Sequence, residues 1–286
     1  MVTTQLVFVT GKGGTGKSVV AAALAINRAR MGQSVLAIDM GAAQGLGTHL
    51  RVPDLTYKPT EVRPGLSALA IDRSSALDEY LKLQLHLPTG APTKQLASAL
   101  SVLADTAPGV REIISVGKPI HETWKGTWDT VVVDAQALGQ FQSYVQAPAT
   151  IAELVPTGNV RRQAETLKAT LVDPDVTSVI IVANPTELSV NESNEAIATL
   201  EAEEACPSPT VIMNRWLDPS GLMGRDLDDL PTGSVRDAAV LQVTMERDQE
   251  SWASMVAHEH KLPFLRGVLT PSEVASQLAD RLRVTT

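Results

Sequence analysis

Residues 6–18 read LVFVTGKGGTGKS, a short apolar run that enters a glycine-rich loop and ends on Lys17 and Ser18. An Ala-rich pattern typical of a helix follows over 18–31, so the glycines would join a buried strand to a helix N-terminus. Such loops surround phosphate groups, because successive backbone N–H groups point toward the anion. The stretch therefore predicts a phosphate-binding loop within an α/β fold.

Two phosphate-loop patterns fit the same residues. As G-x-G-x-x-G, Gly11, Gly13 and Gly16 match the dinucleotide-binding pattern, and an acidic residue at Asp39 then lies far enough along to hold a ribose. As G-x-x-x-x-G-K-[ST], the loop matches the P-loop of nucleoside triphosphatases. The pair Lys17–Ser18 favours the P-loop, since a dinucleotide has no γ-phosphate that needs a lysine and no Mg²⁺ that needs a hydroxyl. A plain glycine turn between strand and helix is the third interpretation.

The rest of the chain alternates strand-like and helix-like segments. This predicts a doubly wound, mainly parallel P-loop NTPase sheet with ligands at the carboxyl ends of its strands. Residues 73–127 interrupt the order with helical periodicity, so we expect a helical insertion subdomain within a single domain of residues 1–286. The predicted strands are 6–10, 34–39, 66–71, 130–134, 178–183, 210–213 and 262–265. The predicted helices are 18–31, 75–87, 93–104, 160–171, 192–204, 236–256 and 272–283, and 41–47 is predicted to be a glycine-rich loop.

The composition argues against several classes of protein. The 286 residues carry a formal net charge of −8 and no cluster of Lys and Arg of the kind that binds nucleic acid. The one cysteine, Cys206, excludes a disulfide or an all-cysteine zinc site within one chain. No apolar run approaches the roughly 20 residues of a membrane span, and the first residues lack the basic segment of a signal peptide. We expect a cytoplasmic protein with no nucleic acid and no zinc.

Two charged residues outside the glycine pattern add to the phosphate-loop hypothesis. Asp134 ends the apolar run TVVVD, where a carboxylate can hold a water on Mg²⁺; the alternative is an ordinary turn residue at a strand end. Lys12 is not needed to hold the phosphates of its own subunit, because Lys17 already does so. It is either a solvated lysine or a cation that acts outside its own chain.

These features together resemble the deviant-Walker P-loop ATPases, whose loop reads K-G-G-x-G-K-[ST], and within that class the ArsA family. The family includes arsenite-pump ATPases, tail-anchored-protein-targeting ATPases and actinobacterial anion-transporting-ATPase-like proteins. The resemblance covers most of the chain. Beyond the loop it rests on VLAIDMGAAQGLGTHL (35–50), GLSALAIDRSSALDEYL (65–81), VVVDAQALGQ (131–140), NPTELSVNES (184–193), VIMNR (211–215) and LPFL (262–265).

The resemblance implies ATP or ADP with Mg²⁺ as the ligands. Lys17 would hold the β- and γ-phosphates, Ser18 would ligate Mg²⁺, and Asp134 would hold a Mg-bound water. Asn214 would contact the adenine unless it is a capping residue, and the loop 265–271 would lie over the base. The implied nucleotide-binding residues are Gly11, Lys12, Gly13, Gly14, Thr15, Gly16, Lys17, Ser18 and Asn214, and the implied catalytic residues are Lys12, Lys17, Asp39 and Asp134.

The chain departs from the family pattern at both switch segments. The family has Asp-x-Asp-Pro or a close variant after the second strand. Alignment on residues 43–46 places Asp39 at the first of these positions and Gly41 where the later Asp polarises the attacking water. The second switch has apolar Ala137 and Leu138 in place of polar residues. Positioning of this kind accelerates phosphoryl transfer by orders of magnitude, so we expect binding to survive and hydrolysis to be weak.

The resemblance therefore implies a Mg-ATP-binding ATPase whose nucleotide state controls a dimer. Lys12 would be the signature lysine that reaches across the dimer to the partner's nucleotide. The partner would be an identical chain or a paralogous ATPase, with a protein or membrane protein as a further client. The alternative is a non-hydrolysing regulatory subunit of a competent paralogue. A membrane-bound partitioning ATPase fits less well, because the tail 272–286 lacks a basic amphipathic anchor.

Overall fold

One mainly parallel sheet places the predicted phosphate loop at its centre. The computed structural model describes residues 4–41, 45–72, 74–79 and 109–282. The strands are β1 (Gln5–Gly11), β2 (Val35–Asp39), β3 (Thr60–Arg63), β4 (Leu66–Ala70), β5 (Thr130–Ala137), β6 (Thr177–Ala183), β7 (Thr210–Trp216) and β8 (His260–Pro263). They lie in the order β3-β4-β2-β5-β1-β6-β7-β8. Every neighbouring pair is parallel except the β3–β4 pair at one edge, so the central strands end on the same side.

Helices cover both faces of the sheet. Those with their bounds in the described residues are α1 (Lys17–Arg30), α2 (Gly45–Leu50), α3 (Val110–Trp124), α4 (Leu138–Leu154), α5 (Asn159–Val172), α6 (Glu187–Ala202), α7 (Ser234–Ala253) and α8 (Pro271–Ala279). Side chains alternate along β1, so that Leu6 and Phe8 pack with α3, α4 and α5 while Val7 and Val9 pack with α1 and α8. Burial on both faces explains the continuous apolar runs of the central strands.

The predicted α/β class and mainly parallel sheet are confirmed. Each predicted strand is present, and the bounds differ by a few residues at most. The sequence reading missed β3, which pairs antiparallel with β4 at the edge of the sheet. Its side chains are exposed or half-buried, so the strand carries no apolar pattern that could have revealed it.

Two helices were also missed. The predicted glycine-rich loop 41–47 is wrong at its end, because α2 begins at Gly45. α4 follows β5 directly and contains Gly139 and Pro148, both of which disfavour a helix interior. Burial of Phe141 and Val145 against the sheet stabilises the helix despite these two residues, so packing outweighs local propensity.

The predicted insertion, residues 73–127, is described only at its ends. Residues 80–108 lie outside the described residues, and with them most of the predicted helix 75–87 and all of the predicted helix 93–104. Residues 74–79 are helical. α3 packs directly on the sheet through Ile113, Val116 and Ile120, so this part of the range belongs to the body that carries the loop. The single domain with an insertion stays a prediction.

Among the described helices, none combines the length and the apolar character that crossing a bilayer requires.

A buried charge cluster joins the segments on either side of residues 80–108. The ammonium of Lys118 lies 2.8 Å from Glu122 and 2.9 Å from Glu79, and 4.4 Å from the centre of the Tyr57 ring. The side chains of Lys118 and Glu122 are only 5% and 4% exposed. Burial opposes ionisation of Glu122, but hydrogen bonds from Lys118 and the more exposed Lys125 outweigh it and lower the pKa of Glu122.

Removal of the central cation should destabilise the protein strongly. Lys118→Ala should lower the free energy of unfolding by roughly 3–5 kcal/mol, because it leaves Glu122 buried without its main partner. Lys125→Ala removes a half-exposed lysine from the same carboxylate and should cost less than about 1 kcal/mol. Denaturant unfolding followed by circular dichroism measures both variants. Equal costs for the two would contradict the dominant role of the buried pair.

Candidate functional site

Close packing fixes two glycines of the phosphate loop, residues 11–18. A β-carbon on Gly11 would lie 2.3 Å from the carbonyl oxygen of Val182 in β6, and one on Gly16 would lie 2.4 Å from Nδ2 of Asn214 in β7. Both glycines have a positive φ, 153° and 96°, that disfavours any residue with a side chain. The loop is therefore held against two neighbouring strands at positions that only glycine fits.

The outer side of the same loop is open. Nothing lies within 4 Å of a β-carbon built on Gly13 or Gly14. Thr15 faces inward, and its hydroxyl donates to the carbonyl oxygen of Lys12 at 2.9 Å, which closes the loop on itself. α1 begins at Lys17, and the first N–H groups of a helix have no partner within it. An open backbone cradle at a helix N-terminus fits a phosphate group.

Two carboxylates on adjacent strands lie beside this cradle. Asp134 in β5 is in register with Val9 of β1 and with Asp39 of β2, and both carboxylates are buried. Burial, and to a smaller extent the charge of Asp39, raises the pKa of Asp134 to about 7, while Ser18 and Lys17 act to lower it. Removal of this carboxylate from water is therefore the main reason why it holds a proton so readily.

Asp134 also has a vacant acceptor. The hydroxyl of Ser18 is hydrogen-bonded to its carboxylate, but Oδ1 is buried with no hydrogen-bond partner in the described part of the chain. Gly45, the first residue of α2, packs over the pair: a β-carbon there would lie 2.7 Å from the hydroxyl oxygen of Ser18. Mg²⁺ takes oxygen ligands and keeps several waters, so a serine hydroxyl and an unsatisfied buried carboxylate fit it. The sequence motif alone did not indicate that Gly45 packs against Ser18.

Asp39 ties down the segment after β2. One of its carboxylate oxygens accepts the N–H of Gly41 at 2.7 Å, and the other accepts the N–H of Leu46 at 3.1 Å. Burial raises the pKa of Asp39, and these two hydrogen bonds offset only part of the effect. Gln136, which sequence reasoning missed, donates its amide to the carbonyl oxygen of Met40 in the same segment. Asp39 thus has a backbone partner on each oxygen, and residues 42–44 lie outside the described residues.

The second switch position is part of the core. β5 passes straight into α4, with Ala137 as the residue before the helix. Leu138 is 5% exposed and belongs to a buried cluster with Ile181, Ala183 and Val190. The leucine side chain packs between β6 and α6, so an apolar core residue occupies the position where the sequence predicted no polar group.

A cavity of about 160 Å³ lies on the other side of the loop. Its lining residues are Gly16, Val19, Asn214, Arg215, Pro263, Phe264, Leu265, Val274 and Leu278. Asn214 is buried, and its amide donates to the carbonyl oxygen of Thr15 at 2.7 Å, so it fastens the phosphate loop to β7. The chain over this cavity is 263–265, which meets the predicted cover loop 265–271 only at Leu265. Contact between Asn214 and adenine stays a prediction.

Lys12 has a partner in its own chain. Its ammonium forms an ion pair with Glu192 on α6, and the two side chains are 27% and 39% exposed. The sequence offered no role for Lys12 within its own subunit, and it gave no sign of Glu192, because the pair is 180 residues apart. The structure thus brings Lys17, Ser18 and Asp134 together and leaves Lys12 engaged elsewhere.

Several known proteins are similar in sequence to this chain over most of its length. The sequence matches the family model described as anion-transporting ATPase over residues 4–157 and 153–222. It is 31% identical over 296 aligned residues to the ATPase BagA of Mycobacterium tuberculosis, covering 98% of this chain and 85% of that protein. Identity to the ATPase GET3 of Chaetomium globosum is 24%, covering 74% of this chain and 73% of that protein. Identity to the arsenical pump-driving ATPase of Acidiphilium multivorum is 25%, covering 90% of this chain and 45% of that protein.

Asp134 should give the ligand-free protein a measurable pH dependence. Its pKa is about 7 in the folded chain and about 3.9 in an unfolded one. The folded state therefore binds the extra proton, and the resulting stability is complete below the unfolded pKa and is lost as pH rises through about 7. Asp134→Asn should abolish this loss, so the variant should gain stability over wild type as pH rises from about 4 to about 7.

Urea unfolding in the presence of a chelator measures the difference at each pH. Asp39 titrates in both proteins, so the difference between them reports Asp134 together with its coupling to Asp39. A wild-type protein that becomes more stable than the variant as pH rises would contradict the raised pKa.

Proposed function

The chain belongs to the anion-transporting ATPase (ArsA) family, and we propose that it binds Mg-ATP on the phosphate loop, with the nucleotide state controlling a dimer. The observation that carries this proposal is the buried Oδ1 of Asp134, which has no hydrogen-bond partner among the described residues and lies beside Ser18 at the side of an open glycine cradle. A structural carboxylate in this position would be expected to have its hydrogen-bond partners within the protein. An acceptor left unsatisfied next to a serine hydroxyl supports a bound cation with its waters.

The proposed roles follow from where each residue lies. Lys17 binds the β- and γ-phosphates, and the backbone of residues 11–18 surrounds them. Ser18 would ligate Mg²⁺ and Asp134 would hold one of its waters, and the cation would supply positive charge beside the phosphates. The cavity beside Asn214 receives the adenine. This placement is supported by the hydrogen bond from Asn214 to the phosphate loop, which puts the cavity next to the phosphates. ADP would bind to the same groups after hydrolysis.

Hydrolysis by the isolated chain is proposed to be slow. No side chain at Gly41 can orient the attacking water, and Asp39 already accepts two backbone hydrogen bonds. Leu138 is buried in the core rather than directed at a nucleotide. At both positions where the family has a water-orienting residue, this chain therefore lacks a polar side chain with a free acceptor.

The same observations favour a second candidate function. A chain that binds Mg-ATP without turning it over would act as a regulatory subunit, paired with a second copy or with a competent paralogous ATPase. Burial of Leu138 favours this alternative, because restoring one polar residue would not by itself rebuild the second switch. In either case a protein or membrane protein is the proposed client, and the region of residues 73–127 is the proposed insertion.

ATP binding should depend on Lys17. Lys17→Ala should weaken binding by roughly 3 kcal/mol, or roughly a hundredfold in Kd, because it removes charge-assisted hydrogen bonds to phosphate. Isothermal titration calorimetry with Mg-ATP measures the change. Lys168→Ala, which removes an exposed lysine on α5, is the charge-matched control and should bind as wild type does. Unchanged affinity in Lys17→Ala would show that the loop does not bind the nucleotide in this way.

A carboxylate at position 41 should accelerate hydrolysis. Gly41→Asp should raise the single-turnover rate by up to about a hundredfold with little change in affinity, because the group acts mainly in the transition state. Rapid-quench measurements with radiolabelled ATP determine the rate. A β-carbon at this position would lie 3.0 Å from Oδ1 of Asp39, so a small shift of that side chain is required.

Gly41→Ala is the control for this shift, since it adds the β-carbon without the carboxylate and should stay slow. Fast hydrolysis by wild type alone would mean that another group positions the water. An inert Gly41→Asp variant with unchanged ATP affinity would place the defect at Leu138 and favour the regulatory-subunit alternative.

A further inference from the structure

Lys12, within the phosphate loop, forms an ion pair with Glu192 of α6 in the same chain. We infer that Glu192 is a positioning residue that retains Lys12 within its own subunit until a second copy of this chain presents a bound triphosphate. The inference rests on the proposed function, since it concerns how the dimer forms around ATP. It assigns a role to a residue that lies outside the phosphate loop.

The fold brings the pair together through neighbouring strands. Lys12 directly follows β1, and Glu192 lies in the second turn of α6, which follows β6. β1 and β6 pair in parallel, with Gly11 in register with Val182, so the ends of the two strands are adjacent. The position of the pair is therefore set by the sheet and needs no movement of either element.

The backbone of Lys12 is fixed, so only its side chain can exchange partners. Its carbonyl oxygen accepts hydrogen bonds from both the hydroxyl and the N–H of Thr15, at 2.9 and 3.3 Å. On the other side, α6 is anchored by Val190 and Ser193, both fully buried. Glu192 and Lys12 are each less than half exposed, and neither is enclosed. The ammonium can thus leave the carboxylate without disturbing the loop or the helix.

Charge decides which partner holds the lysine. A single carboxylate carries one negative charge, whereas the triphosphate of a second copy carries several, so Lys12 should transfer to the phosphates once they are within reach. A partly exposed ion pair changes an equilibrium constant by less than about fivefold. The contact therefore weakens the association of two copies modestly and does not prevent it. A symmetric dimer breaks two such pairs, so the effects multiply to at most roughly 25-fold.

The test compares self-association in Mg-ATP for wild type, Glu192→Gln and Glu195→Gln. Glu195 lies on the same helix with its side chain exposed, so its substitution makes the same charge change away from Lys12. Analytical ultracentrifugation gives the dimer dissociation constants. Glu192→Gln should tighten the dimer by about 3- to 25-fold, while Glu195→Gln should leave it within about twofold of wild type. The same substitution in a Lys12→Ala background should have no effect, because the retained cation is absent.

Three results would overturn the inference. Weaker dimerisation of Glu192→Gln would mean that Glu192 presents Lys12 to the partner rather than retaining it. An equal gain in the Lys12→Ala background would mean that the carboxylate acts by general repulsion of phosphate. If wild type and Glu192→Gln both bind Mg-ATP by calorimetry and remain monomeric, Glu192 controls no homodimer while nucleotide binding stands. If calorimetry shows no binding of Mg-ATP to wild type, the proposed function itself is refuted.

Discussion

The close approach of the phosphate loop to two strands is the constraint on which the site depends. Gly11 lies against the backbone of β6, and Gly16 lies against the amide of Asn214 in β7, with no room for a side chain at either position. This packing fixes the path of the loop, so its outer side is open to a ligand and α1 begins directly behind it. The N–H groups of the loop are thus oriented before a nucleotide arrives, and binding need not order them.

Parallel strand order then concentrates negative charge next to that loop. Asp39, the last residue of β2, is in register with Asp134 within β5, and burial raises the pKa of both. The two carboxylates differ in their surroundings. Asp39 uses both oxygens to hold backbone N–H groups, whereas Asp134 keeps one buried oxygen without a partner among the described residues. Asp39 therefore fixes the backbone that follows β2, whereas Asp134 leaves one carboxylate oxygen without a ligand among the described residues.

The positive charges are divided in the same way. Lys17 lies close enough to Asp134 to affect its ionisation, while Lys12, five residues earlier, is paired with α6. One loop thus carries Lys17, which acts on Asp134, and Lys12, which is paired with Glu192 of α6. The apolar second switch completes the picture, because Leu138 stabilises the core where a polar residue would serve hydrolysis.

The sequence by itself determined the parallel α/β fold, the phosphate loop and the strand-end carboxylate Asp134, because these depend on local spacing: a glycine pattern between a strand and a helix, and an acid at the end of an apolar run. It also located the apolar residues at the second switch. It did not reveal α4, whose Gly139 and Pro148 oppose a helix that buried contacts stabilise, nor β3, whose exposed edge carries no apolar pattern. Only the tertiary structure decided the partners of Asn214 and Lys12. These contacts join residues far apart in the chain, and they exist because the sheet places β1, β6 and β7 side by side.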